Sequence, residues 1–301
     1  MAIRESQKKA LRKYKDKAYD RLEISVAKGH KASLQTHASQ RGVSLNGFVN
    51  RAIDEALARD KQTGEITGHV ADDMVRQGGY GMKAKFNMTK EQNIFVAKRN
   101  IVDYIYKSAK LEGLGVTYPD TEAIFQGAAA PGVKVSDIIA VNNLKHAWQF
   151  LLDTLDVPMD YAYLCKLNQL VGGDNLIFNA GHIRKLPVSI GGTKWKPEMP
   201  DEDSIKAELK RLSQVESDTE RAICVMLYAM RGQFYLDGNK RTAMLAANQI
   251  MIANGQGIIS VPEGLIRDFT QHLVSYYESG HADAIAQFVY DSCIDGLPFT
   301  N

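Results

Sequence analysis

From Asp20 to Lys28 the chain reads DRLEISVAK, with Leu22, Ile24 and Val26 alternating against Arg21, Glu23 and Ser25. A period of two over this length predicts a half-buried strand. Beyond it the period lengthens. Gly29 and Gly42 bracket a short helical stretch, HKASLQTHASQR, and Ser44 stands where a second helix would be capped. That second helix carries apolar pairs Phe48/Val49, Ala52/Ile53 and Ala56/Leu57, which recur every four residues. One short strand needs a partner strand before it can close a core, so a homodimer that pairs two copies is expected.

Residues 60–88 carry five glycines and hold no sustained period. This predicts a linker over 61–87 between an arm at 1–60 and a larger domain at 88–301. Beyond the linker the pattern is nearly all helical. Thr89 and Gln92 form a capping box ahead of a helix with Ile94, Phe95, Ile101, Val102 and Ile105, ending near Gly113. Further helices are predicted at about 137–154, 160–171, 203–214, 217–231, 239–253, 264–278 and 282–293. One β signal interrupts them: LPVSIGGTKW, where Gly191-Gly192 fits a two-residue hairpin turn. The class is mainly α, with one small β-hairpin and the strand-bearing arm.

Composition narrows the setting. The 301 residues are 45% hydrophobic and 24% charged, ordinary for a globular protein. No apolar run approaches the roughly 18 residues of a membrane span, and the basic N-terminus lacks a signal-peptide core, so a cytoplasmic protein is expected. Cys165, Cys224 and Cys293 are far apart, without metal-like spacing, and read as reduced core residues. The net charge of +2 hides an asymmetry: residues 1–60 hold thirteen Lys/Arg against seven Asp/Glu, and the remainder twenty-four against twenty-eight. A basic front end on an acidic body points to nucleic acid as a partner of the arm.

Residues 233–242, QFYLDGNKRT, carry the candidate chemistry. They lie where one predicted helix ends and the next begins at Asn239. A helix N-terminus offers unpaired N–H groups and positive dipole potential, both suited to an anion. Gly238 lets the backbone come close, Arg241 can grip phosphate oxygens in pairs, and Lys240 adds a point charge. Asp237 could hold Mg²⁺, which binds through one carboxylate plus phosphates.

This stretch resembles the signature of the Fic/Doc family, H-x-F-x-(D/E)-G-N-(G/K)-R, with Asp237, Gly238, Asn239 and Arg241 matching and Lys240 agreeing with the Doc-like form. Asn248 falls where Fic proteins carry a further asparagine. GHIRKLPVSIGG is similar to the family's target-docking flap, at Ser189, Ile190, Gly191 and Gly192. SAKLEG at 108–113, with Ser108, Glu112 and Gly113, resembles its inhibitory motif (S/T)-x-x-x-E-(G/N). The resemblance runs over about residues 88–295. It implies a helical transferase fold that moves AMP from ATP, with Mg²⁺, onto a hydroxyl of a target protein. The nucleotide site would then be Gly238, Asn239, Lys240, Arg241 and Asn248, with Asp237 on the metal.

Tyr235 replaces the usual Phe of the family pattern, and two further departures bear on the chemistry. Gln233 stands where the family has the catalytic histidine that deprotonates the attacking hydroxyl, and an amide cannot serve as a general base. Met244 stands where many members have a second arginine, so Glu112 is expected to pair with Arg241 or Lys240 instead. The arm at about 18–60 resembles the ribbon-helix-helix family of Arc-like repressors. That resemblance implies base reading by Arg21, Glu23 and Ser25 in the major groove of operator DNA, with Ser44 and Asn46 on a phosphate. The chain is thus expected to be a Fic-type AMP transferase scaffold, inactive or altered at its base, autoinhibited, and self-regulating at DNA. Two readings stay open beside it: a transcriptional regulator using the domain as a nucleotide sensor, and a Doc-like phosphotransferase toxin of a toxin-antitoxin pair.

Overall fold

In the computed structural model, residues 28–49, 51, 52, 55 and 80–297 are described. The chain divides into two units, Met1–Thr67 and Gly68–Asn301. The predicted strand at 20–28, with Arg21, Glu23 and Ser25, lies almost wholly outside the described residues.

In the first unit, α1 spans His30–Gln40 and is bounded by Gly29 (φ 92°) and Gly42 (φ 66°), both left-handed. Ser44 caps the following helix: its Oγ accepts from Gly47 N at 3.1 Å. Among the described residues of this unit only Ala38 is buried.

The second unit is helical. In chain order it holds α2 (Lys90–Arg99), α3 (Ile101–Leu111), α4 (Tyr118–Phe125), α5 (Val135–Asp153), α6 (Tyr161–Val171) and α7 (Glu202–Leu212). After these come α8 (Asp218–Gly232), α9 (Asn239–Ala253), β1 (Ile258–Ile259), α10 (Ile266–Ser279), α11 (Asp283–Ser292) and β2 (Ile294–Asp295). The strands pair antiparallel, Ile258 with Asp295 and Ile259 with Ile294.

Helix α9 is the axis of the unit. Its residues from Arg241 to Ile252 are all buried, because small or apolar side chains occupy every face. It packs along α8 and also meets α2, α5, α6 and β1. A helix buried all round has a fixed start, and its first residue, Asn239, is the motif asparagine.

The helices follow the sequence pattern closely, with four differences. The stretch expected to run unbroken to Gly113 is interrupted at Asn100 (ψ 13°), giving α2 and α3; the Thr89–Gln92 capping box forms as read. Helix α4 is additional, started by a Thr117–Asp120 capping box. Residues 80–87, assigned to the linker, instead pack on the helical unit: Tyr80 and Met82 donate backbone N–H groups to the buried Glu220 carboxylate at 3.0 and 3.3 Å. The two-strand sheet at 258–259 and 294–295 was likewise unforeseen.

The predicted hairpin forms its turn but no ladder. Only Gly192 has positive φ, at 85°. The primed turns that fit strand twist need positive φ at the first central residue, and other turns splay the flanks. No backbone hydrogen bonds join 186–190 to 193–197 among the described residues.

No helix among the described residues is long and apolar enough to cross a membrane. Cys224 and Cys293 are buried and free, and desolvation pushes both thiols up to about 12.

Candidate functional site

The loop between α8 and α9 is built to one shape. Helix α8 stops because Gln233 takes a left-handed conformation, φ 45° and ψ 54°, which disfavours any residue with a Cβ. Asn239 then ties the loop to itself. Its Oδ1 accepts from Tyr235 N at 3.0 Å, and its Nδ2 donates to Tyr235 O at 2.9 Å and to Gln233 Oε1 at 3.2 Å. From outside, Asn168 Nδ2 on α6 donates to Asp237 O and to Thr242 Oγ1, both at 3.1 Å. Gly238 is left-handed (φ 76°), and a Cβ there would lie 3.0 Å from Ile177 Cδ1 and from Val171 Cγ1. No side chain caps the first turn of α9, so its N–H groups are left for a ligand or solvent.

Beside this turn is a cleft of about 230 Å³. It gathers three segments far apart in the sequence: Gln233, Asp237, Asn239 and Lys240 from the loop, Glu112 from the end of α3, and Val188, Ser189, Ile190 and Gly191 from the flap. Gly192 lies just behind, its Cβ position 3.8 Å from Val274. The remaining wall is a stripe on α10: Thr270, Leu273, Val274 and Tyr277.

Charge in the cleft is arranged in layers. The Asp237 side chain is 66% exposed at the mouth, whereas Arg241 is 6% exposed beneath it, with Nη2 3.4 Å from Asp237 Oδ1. Glu112, 14% exposed, lies over both cations: Oε2 is 3.7 Å from Lys240 Nζ and Oε1 is 3.8 Å from Arg241 Nε. Glu112 Oε1 and Arg241 Nε are buried and make no hydrogen bond. A guanidinium N–H in that condition fits an anion. Gly113 (φ 75°) ends α3 directly after Glu112 and so fixes where the carboxylate stands.

The Gln233 amide is held by hydrogen bonds and has no basicity near neutral pH to accept a proton. Its Nε2 donates to Met230 O at 2.7 Å and its Oε1 accepts from Asn239. No histidine lines the cleft among the described residues. Tyr277 is held well above the usual phenol range by burial and then by the Glu112 charge, with a bond from Gln233 acting the other way. It is a donor, not a base.

Two expected residues stand elsewhere. Asn248 is not in the cleft: its Nδ2 donates to Ile259 O at 2.8 Å and its Oδ1 accepts from Ile259 N at 2.7 Å, so its whole amide holds β1 onto α9. Two turns of helix separate it from Arg241 at the start of α9. Ser108 faces a separate small cavity beside Met244 and Asn248, one turn from Glu112. Asn239 lines the cleft, and its amide braces the loop.

Reading the sequence missed Arg184 and the α10 stripe. The stripe was visible as positions i, i+3, i+4 and i+7, though the same spacing describes any core-facing helix. Nothing in the local sequence marks Arg184, which is 1% exposed.

Neither a protein-family model nor a curated protein matches the sequence. Solved structures do match the fold. Fic-1 from C. elegans aligns at TM-score 0.54 and 18% identity, over 88% of this chain and 74% of that one. A Fic domain containing signaling protein from Bacteroides thetaiotaomicron aligns at 0.55 and 16%, over 67% and 84%. A Fic family protein from Desulfovibrio desulfuricans aligns at 0.53 and 16%, over 79% and 70%. The helical unit has the Fic domain fold.

Proposed function

We propose that the helical unit is a Fic-family nucleotide site, of the kind that moves AMP from ATP onto a protein hydroxyl, held shut by Glu112 and lacking the base for ordinary turnover. The observation that carries this is the Glu112 carboxylate lying over Lys240 and Arg241, in the same cleft as Asp237 and the flap. A polyphosphate would need those two cations and the first turn of α9. Among the described residues no group of three His, Cys, Asp or Glu is placed to hold a metal. A single exposed carboxylate with phosphate ligands is still a normal Mg²⁺ arrangement, so Asp237 fits that ion. Bound there, the ion would neutralise charge developing on the phosphates.

The chain's own groups then divide the work. Arg241 and Lys240 grip, Asp237 presents its carboxylate, the flap residues 188–191 offer backbone to a target segment, and Gln233 orients without accepting a proton. That Gln233 cannot take a proton favours a second reading, in which the site senses ATP and a dimeric arm answers at operator DNA through Arg21, Glu23 and Ser25.

Calorimetry with ATP and Mg²⁺ tests the nucleotide site. Binding should appear in the Glu112→Gly protein and weaken with Asp237→Ala or Arg241→Ala added. Absence of binding to any adenine nucleotide in Glu112→Gly overturns the proposal. Incubation with ATP labelled at the α- or γ-phosphate and cell lysate separates the chemistries: α-label on protein means AMP transfer, γ-label means a phosphotransferase, and neither means a sensor.

A further inference from the structure

Arg184 is a buried guanidinium without a carboxylate partner; every acceptor it meets is a backbone carbonyl or a thioether. Its Nε donates to Gln233 O at 2.6 Å, and its own backbone N–H donates to Phe234 O at 2.8 Å. The rest of the fork turns to the flap. Nη1 donates to Leu186 O at 3.0 Å and contacts Met199 Sδ, while Nη2 donates to Pro197 O at 3.4 Å and to Glu198 O. One side chain therefore holds the strained end of α8 and both flanks of the flap. The flanks have no hydrogen bonds to one another among the described residues, and Gln233 has a conformation its Cβ disfavours.

We propose that Arg184 is a positioning residue that makes the anion-binding loop and the flap one mechanical piece, so that neither can loosen alone. Five donors in a fixed plane can reach carbonyls on three separate segments, which an ammonium cannot. Burial depresses the Arg184 pKa by desolvation alone, as fits a cation whose partners are all neutral dipoles. At the far end of the flap, Trp195 stacks on Tyr277 at 5.6 Å and lies under the Arg231 guanidinium at 4.6 Å. Trp195 is thus a built-in reporter of flap position. The coupling would bear on ligands only if the nucleotide reading above holds; the coupling itself does not depend on it.

The test uses the full chain without ligand, as wild type, Arg184→Lys and Arg184→Met. Three readouts are followed: trypsin cleavage in the flap at Lys185 and Lys194, hydrogen exchange at 233–238, and tryptophan emission. Arg184→Met should raise both cleavage and exchange by about tenfold or more and shift emission to the red. Arg184→Lys should behave the same way, though it keeps the charge, because it loses the fork. Adding Gln233→Gly to Arg184→Lys should return exchange in the loop toward wild type, since glycine needs no hold in that conformation, while the flap stays cleavable. If Arg184→Met does not fold, the lysine variant decides. Loosening of one segment without the other in either single variant, or full retention of both by lysine, overturns the proposal. Failure of ATP to bind anywhere would sink the nucleotide reading and leave this result standing.

Discussion

Glu112 Oε1 stands 3.8 Å from Arg241 Nε, and neither atom makes a hydrogen bond. The pair is near enough to neutralise charge and too far apart to satisfy either group. Lys240 Nζ is likewise 3.7 Å from the other carboxylate oxygen, and its one hydrogen bond is a long one, 3.4 Å to Leu111 O. Such a contact resists an incoming anion yet gives way to a better one, because a phosphate at hydrogen-bond distance would satisfy what the glutamate leaves open. Glu112→Gly should therefore tighten binding of ATP with Mg²⁺ by about tenfold or more in calorimetry. Glu112→Gln, which removes charge and keeps bulk, should fall between. Equal affinities across the three proteins would mean that Glu112 does not guard the site.

Gln233→His tests the missing base. Histidine tolerates the left-handed backbone better than most residues, so the loop should survive the change. With Glu112→Gly alongside, transfer of AMP onto protein should rise by about 10²–10⁴-fold over the glutamine parent, the usual worth of a positioned base. Gln233→Ala separates orientation by the amide from no role. If the histidine protein stays silent with target supplied, the site is a sensor rather than a transferase.

The helices of the large unit were legible because their apolar spacing and caps are local; the Thr89–Gln92 box is one example, and Ser44 in the arm is another. The pairing of Glu112 with Lys240 and Arg241 rests instead on the family resemblance, in which Met244 replaces the second arginine. Contacts that depend on tertiary approach were not legible. Asn248 reads as a phosphate ligand by spacing, yet the strand it holds at Ile259 is two residues long and leaves no period to detect. The flap reads as a hairpin from Gly191-Gly192, but the φ sign that decides pairing is not written in the dipeptide. Arg184 carries no pattern at all, because its partners are carbonyls.

Asn248→Ala follows from where that amide is bonded. The substitution leaves Ile259 N–H and C=O buried with no partner, which should cost about 2–4 kcal/mol in urea unfolding. Nucleotide affinity should stay within about twofold of the parent, well under the tenfold that 1.4 kcal/mol would give. A large affinity loss at unchanged stability would restore Asn248 to the site.

The arm makes a separate prediction. Its basic excess predicts duplex binding that falls steeply as salt rises, because phosphate contacts release counterions. Arg21→Ala should cost roughly 1–3 kcal/mol at a specific site and little on random DNA. Binding by the full chain that ignores salt, or is absent on genomic fragments, would leave the arm with dimerisation only.

Gly238→Ala asks whether the loop geometry itself makes the site. The position is left-handed at φ 76°, and the added methyl would press on Ile177 and Val171 at 3.0 Å and on Asn168 Nδ2 at 3.3 Å. Asn168 is the residue that holds the Asp237 carbonyl and Thr242, so displacing it should move both the acidic residue and the start of α9. The left-handed backbone alone costs about 1 kcal/mol, and crowding in a packed core adds about 1–3 more. Gly113→Ala is the matched control: it has nearly the same φ, 75°, with open space around its Cβ, so it should lose only the smaller amount. Urea unfolding measures the two stabilities and calorimetry the two affinities. Gly238→Ala should lose stability and ATP binding together, whereas Asp237→Ala should lose binding at nearly unchanged stability, its side chain being exposed at the mouth of the cleft. A Gly238→Ala protein that is destabilised yet binds ATP as tightly as its parent would place the phosphates away from the first turn of α9.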